Sequence, residues 1–342
     1  MSVGVGPSGP AVVVADAISP PVQLHHVLVG FQLGAWSADL ALGLQVLSGV
    51  LYLWGVARLA RRGRPWPAGR TAAFLGGLVV LFVAVVSGLA SYGDSVFAVH
   101  VVQHLLIMML APPLLALGAP ITLALQAARR YTQTRLLAVL HSPPMAVLSS
   151  PLVAGCLFYV SMWVDMESSF YPYSLRHPLA HDASHLVLFM LGCLFWWPVS
   201  GADRMPKALH PGIRLAALGL GMPFESFLAI ALMSSRQTIA PQHTLADVHA
   251  GGEVFWIGAM MLTLMPAGLL AWRWLAAESR AEARAARASA AGGVGSVRAR
   301  QDESAWEAEW VRRTGRVPPT VVEAESAWAP DAAAGPAPGR RG

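Results

Sequence analysis

Charge is scarce in this chain. Asp, Glu, Lys and Arg make up 13% of its 342 residues, against about 25% in a soluble globular protein. The scarcity is uneven. Long uncharged runs alternate with short basic clusters, the pattern of a membrane protein. The formal net charge is +5, yet the basic residues sit in particular loops, so they report topology and not nucleic-acid binding. Cysteine is nearly absent. Cys156 and Cys193 lie far apart in apolar stretches with no CxxC pair, which excludes a thiol metal-chaperone motif and a disulfide framework. Both read as small apolar filler. Phosphate-binding loops, dinucleotide fingerprints and nucleophile elbows are missing too. The first 24 residues hold no Lys or Arg before an apolar core, which argues against a cleaved signal peptide.

What remains is hydrophobic: 55% of residues are apolar. Seven segments are long enough to span a bilayer, which takes about 20 apolar residues. They run over 36–58, 71–92, 97–119, 145–165, 178–200, 212–234 and 250–274. Lipid offers no partners for backbone groups, so each is expected to be helical. The loop after the first segment carries Arg58, Arg61, Arg62, Arg64 and Arg70. The loop after the third carries Arg129, Arg130 and Arg135, and the loop after the fifth Arg204, Lys207 and Arg214. The remaining loops hold only Arg176 and Arg236. Every second loop is basic, which predicts an extracytoplasmic N-terminus and a cytoplasmic C-terminus. The expected fold is an all-α membrane protein, a seven-transmembrane-helix bundle over 36–275. An extracytoplasmic segment, 1–35, precedes it. A largely disordered cytoplasmic tail, 276–342, follows, rich in Ala, Arg, Glu, Gly and Pro. Within the tail, a short helix near 301–314 would place Trp306 and Trp310 on one face.

This topology gives the histidines a depth. Nine of the eleven fall on the outer side, and only His141 and His210 on the inner. His100, His104 and Met108 follow one another at i, i+4, so they form one stripe of the third span. His177, His181 and His185 form another on the fifth, with Pro178 at a first helical position. Asp247, His249 and Glu253 stand at the head of the seventh. Ionisable groups in a membrane normally face the bundle interior and mark function. Imidazole suits copper, zinc and iron, and thioether sulfur favours Cu(I); the competing role is hydrogen bonding between helices in lipid. Pro112 and Pro113 interrupt the third span and free carbonyls near Met108 and Met109. Glu225 sits midway along the sixth span, where a lone carboxylate is costly unless protonated or paired. Asp165 and Glu167 read as solvated residues at the outer end of the fourth.

The run His100-Val-Val-Gln-His104-Leu-Leu-Ile-Met-Met-Leu-Ala-Pro-Pro resembles the signature of the membrane CtaG family, bacterial cytochrome c oxidase assembly factors. Trp36 to Arg70 is similar to that family's first span and basic loop. His177-Pro178 through His181, His185 and Phe195-Trp-Trp-Pro-Val199 is similar to its fifth, and Leu245-Ala-Asp247 with Gly251-Gly252 and Trp256 to its seventh. The chain departs from the family pattern at Ser150, Val101 and Ser184. The resemblance covers about residues 35–275. It implies maturation of a haem-copper oxidase, with copper as cargo and oxidase subunits, and a copper chaperone, as partners.

The expected site is therefore an outer-leaflet pocket of His100, His104, His181 and His185, with Asp247, His249 and Glu253 at its rim and Met108 as a soft donor below. Neutral imidazole is the binding form, so affinity falls as acid protonates the ligands. No bond in a substrate is made or broken, so no enzyme is expected. Two other readings use the same residues. One is a haem-binding membrane cytochrome or haem handler. The other is a membrane zinc hydrolase with Asp247 or Glu253 as base.

Overall fold

A computed structural model describes residues 36–93, 95–203 and 209–315. The N-terminal segment with His25 and His26, the loop residues Arg204 and Lys207, and residues 316–342 lie outside them. Among the described residues every regular element is a helix. We number them α1 (Trp36–Ala60), α2 (Ala68–Val85), α3 (Gly88–Gly93), α4 (Phe97–Leu105), α5 (Ala111–Leu117) and α6 (Pro120–Ala127). Then follow α7 (Arg130–Leu140), α8 (Pro143–Leu148), α9 (Pro151–Glu167) and α10 (Phe170–Ser174). The last are α11 (Pro178–Ser200), α12 (Pro211–Ser234) and α13 (Leu245–Thr314).

Six helical stretches are long and apolar enough to cross a membrane: Trp36–Ala60, Ala68–Val85, Phe97–Ala127, Pro178–Ser200, Pro211–Ser234 and Leu245–Ala290. This is the layout of a multi-pass membrane protein. The expected fourth span, 145–165, is instead divided between α8 and α9. Pro151 has no N–H to continue α8, and Ser150 caps the new helix by accepting from Val153 N at 3.4 Å. The 17 residues of α9 reach about 25 Å, slightly short of a ~30 Å hydrocarbon core.

The third crossing is continuous but irregular. Between α4 and α5 the chain makes a π turn, Leu106–Leu110, and Ala111 N–H bonds back to Leu106 O. Pro112 and Pro113 cannot donate to the carbonyls four residues before them. The wider turn takes up that break, one turn past His104. The α11 helix passes this point closely. A Cβ at Gly192 would stand 2.7 Å from Met108 O and 3.0 Å from Pro112 Cγ, so only glycine admits the approach.

Long-range bonds sort the two ends of the bundle. At one end, Arg62 Nη1 donates to Gln126 O at 3.2 Å and Tyr52 Oη to Gly118 O at 2.8 Å. Asp203 there accepts from Ile121 N (3.0 Å), Thr122 N (2.6 Å) and Trp197 Nε1 (3.0 Å). It thereby caps α6 and ties it to α11. These contacts gather the ends of α1, α6 and α11. At the other end, Asp247 accepts from Phe97 N (2.6 Å) and Ala98 N (3.2 Å), tying the starts of α13 and α4. A buried core of Phe97, Val101, Met108, Phe158, Trp196 and Phe255 fills the space between.

The chain divides into two compact units, Met1–Trp272 and Arg273–Gly342. Where the composition predicts a largely disordered tail from 276, the described part of the second unit is helical to Thr314. The reason is its Ala, Arg and Glu content, residues that lose little on entering a helix. Trp306 and Trp310 lie beside each other along it, with ring centroids 5.8 Å apart and planes tilted by 35°. Glu309 pairs there with Arg312 at 2.8 Å and Arg313 at 2.9 Å.

Candidate metal centre

Four imidazoles meet at the end of the bundle away from the basic loops. His100 and His104 lie one turn apart on α4 with ring centroids 4.1 Å apart. His181 and His185 lie one turn apart on α11 at 4.3 Å. The two pairs face each other. His100 is 5.7 Å from His181 and 6.1 Å from His185, and His104 is 5.1 Å from His185. The closest atoms are His185 Nε2 and His104 Nε2, 3.2 Å apart, a distance at which one ring donates its N–H to the other. His100, His104 and His185 are buried and His181 half-buried.

The environment is poorly satisfied for a protein interior, where buried polar atoms are normally paired. Both ring nitrogens of His100 are buried without a hydrogen-bond partner. So are Nδ1 of His104 and Oδ2 of Asp165. These last two atoms lie 3.1 Å apart, yet not aligned as a hydrogen bond. Tetrahedral ions hold imidazole nitrogens at about 2.0 Å, which sets neighbouring donors about 3.3 Å apart. Two trios, His100 with His181 and His185, and His100 with His104 and Asp165, present donor atoms all within 4.8 Å of one another. Either group could hold a metal ion.

Asp165, which the sequence pattern places in solvent at the end of α9, is instead 4% exposed and lies against His104. Glu167, two residues on, is the exposed one. Nothing local distinguishes the two carboxylates; only the rotation of α9 does. Tyr171 and His243 carry no sequence signal of a place near these histidines. Tyr171 lies over His100 with centroids 4.8 Å apart, and its hydroxyl is 2.9 Å from His243 Nε2. His243 Nδ1 is in turn 3.5 Å from Asp247 Oδ2.

Of the other predicted site residues, Asp247 spends its carboxylate on the N-terminus of α4. His249 turns Nε2 to Ser235 O at 2.9 Å, and Glu253 is exposed. Met108 is buried in the apolar core within the π turn. His177 is exposed, bonded to Tyr173 O at 2.9 Å and stacked on that ring. The structure therefore brings together the four histidines and does not bring the head of α13 or His177 to them. On the opposite side of the chain, His141 and His210 serve local backbone bonds, to Leu137 O at 2.8 Å and from Gly212 N at 3.1 Å.

Another buried carboxylate lies apart from these residues. Glu225 of α12 accepts from Thr263 Oγ1 of α13 at 3.0 Å. This pairing answers the cost of a lone carboxylate in the span.

Comparison with known proteins gives a consistent picture. Residues 50–277 match the model of the cytochrome c oxidase caa3 assembly factor family. The chain is 31% identical over 272 residues to uncharacterized proteins of Mycobacterium bovis and Mycobacterium tuberculosis. It is 29% identical over 268 residues to one of Mycobacterium leprae. The alignments cover 74% or 73% of this chain but 41% of each relative, so the chain spans about two fifths of their length. No solved structure matches.

Proposed function

Since the chain belongs to the cytochrome c oxidase caa3 assembly factor family, we propose that it serves oxidase assembly by holding copper among His100, His104, His181 and His185. The observation that carries this reading is the approach of two helix-borne imidazole pairs, His104 Nε2 to His185 Nε2 at 3.2 Å. Imidazole donors at that spacing are what a copper ion needs.

Two further features support it. The rings stand 4.1–6.1 Å apart, centre to centre, which leaves no slot for a porphyrin between the spans. An ion therefore suits the geometry better than haem. The exposed or capping positions of Glu253 and Asp247 also leave no base beside the histidines for a hydrolase that would use either one.

In this reading the bundle crosses the bacterial inner membrane seven times, with α9 as the short fourth crossing. The basic loops are cytoplasmic, so the imidazoles lie on the outer side. There copper passes by ligand exchange, from a copper chaperone or directly, to the nascent oxidase. The role is one of handling a metal and not of catalysis.

The test is Cu(I) binding by the purified full chain in detergent, measured by competition with a chromophoric chelator. The parent is expected to hold copper, and His104→Ala with His185→Ala to lose it. Equal binding by the double variant would overturn the pocket. Because protons compete for neutral imidazole, affinity should fall as pH falls.

A further inference from the structure

The four imidazoles are not the whole donor set. His104 Nε2 faces His185 at 3.2 Å, while its Nδ1 faces Asp165 Oδ2 at 3.1 Å. The two nitrogens of one ring thus face two different partners. His104 Nδ1, Asp165 Oδ2 and both nitrogens of His100 are buried without hydrogen-bond partners. The donor atoms of His100, His104 and Asp165 nevertheless lie within 4.8 Å of one another. A buried carboxylate oxygen and three buried ring nitrogens left unpaired are each costly to hold in a protein interior. A hydrogen bond between His104 and Asp165 would be the simplest remedy, and the 3.1 Å distance permits one. The groups are not aligned for it, and it would still leave His100 unserved.

We propose that His100, His104 and Asp165 form a second metal position, overlapping the all-imidazole one and taking a divalent first-row cation. This proposal rests on the copper reading above and extends it. A carboxylate oxygen is a hard donor, suited to divalent ions, whereas Cu(I) prefers imidazole and thioether. The all-imidazole trio of His100, His181 and His185 is neutral; the Asp165 trio brings a negative charge that offsets part of a divalent ion's charge in a low-dielectric setting. His100 belongs to both trios, so an ion can pass from one to the other without leaving that ligand. Asp165 comes from α9, so the position also ties the fourth crossing to the third.

The experiment uses Co(II) and Zn(II) as probes on the purified full chain. Asp165→Asn is expected to weaken Co(II) and Zn(II) binding roughly 10-fold or more, the scale on which losing a group that binds or backs a metal is felt. Cu(I) binding should fall by less than Co(II) and Zn(II) binding. Asp165→Cys loaded with Co(II) should show a thiolate-to-cobalt charge-transfer band in the near ultraviolet that the parent lacks. The band arises only when residue 165 touches the ion.

A Co(II)-loaded cysteine variant without the band would overturn the proposal. So would an equal loss of Cu(I) and Co(II) in Asp165→Asn, which would make Asp165 only an orienting partner of His104. A parent chain that binds Cu(I) but not Co(II) defeats this inference alone. A parent that binds neither defeats the copper reading as well.

Discussion

At the scale of single residues, chemical type is a poor guide to role. Asp247 and Asp165 are both carboxylates next to the ends of apolar helices. Asp247 takes two backbone N–H groups of α4, Phe97 at 2.6 Å and Ala98 at 3.2 Å. A carboxylate there satisfies orphan donors and opposes the positive end of the helix. Asp247→Ala is therefore expected to lower stability by about 1–2 kcal/mol, read as an earlier thermal unfolding in detergent, while the amount of copper bound stays the same. A loss of copper with unaltered stability would contradict the capping role. Asp165 faces His104 instead. The sequence held the i, i+4 histidine stripes plainly, because helical periodicity puts such residues on one face whatever the tertiary fold. It did not hold the difference between the two aspartates, which depends on partners 150 and 61 positions away in the chain.

At the scale of elements, the site depends on how closely α11 passes the third crossing. Gly192 is the contact point. An added Cβ would meet the Met108 carbonyl and Pro112 at 2.7 and 3.0 Å, and neither backbone nor proline ring yields easily. Gly192→Ala should cost about 1–3 kcal/mol through overpacking and should loosen copper binding by separating His185 from His104. Gly219→Ala, on α12, meets nothing within 4 Å and is the matched control. A thermal melt and a chelator competition on both variants decide the matter; equal behaviour would show that the approach is not tight. The prolines at 112 and 113 announced a break in the third span. That the chain answers with a π turn and not a kink follows from packing against α11, which composition does not record. The same limit applies to residues 145–165, where the apolar run is legible but the division at Ser150-Pro151 is seen only in the fold.

At the scale of the whole molecule, hydropathy and charge carried the architecture. Six membrane-length helices fall where apolar runs predicted them, and contacts such as Arg62 to Gln126 gather their ends. The orientation proposed from the basic loops has a direct check. In a background with Cys156 and Cys193 replaced by alanine, Arg176→Cys should react with a membrane-impermeant maleimide in intact cells. Arg61→Cys should react only after permeabilisation; the reverse pattern would invert the topology. The tail beyond 276 shows the opposite lesson, because low hydrophobicity suggested disorder where strong helix formers carry α13 to Thr314. The sequence by itself determined six membrane-length helices, the loops in which basic residues cluster and the histidine faces. All three are local properties, imposed by lipid on any chain with that pattern of apolar and charged residues. Only the tertiary structure decided which faces meet, and so which nitrogens and which single carboxylate share a space. Helix rotation and approach are set by packing among residues distant in sequence, and no local pattern encodes that.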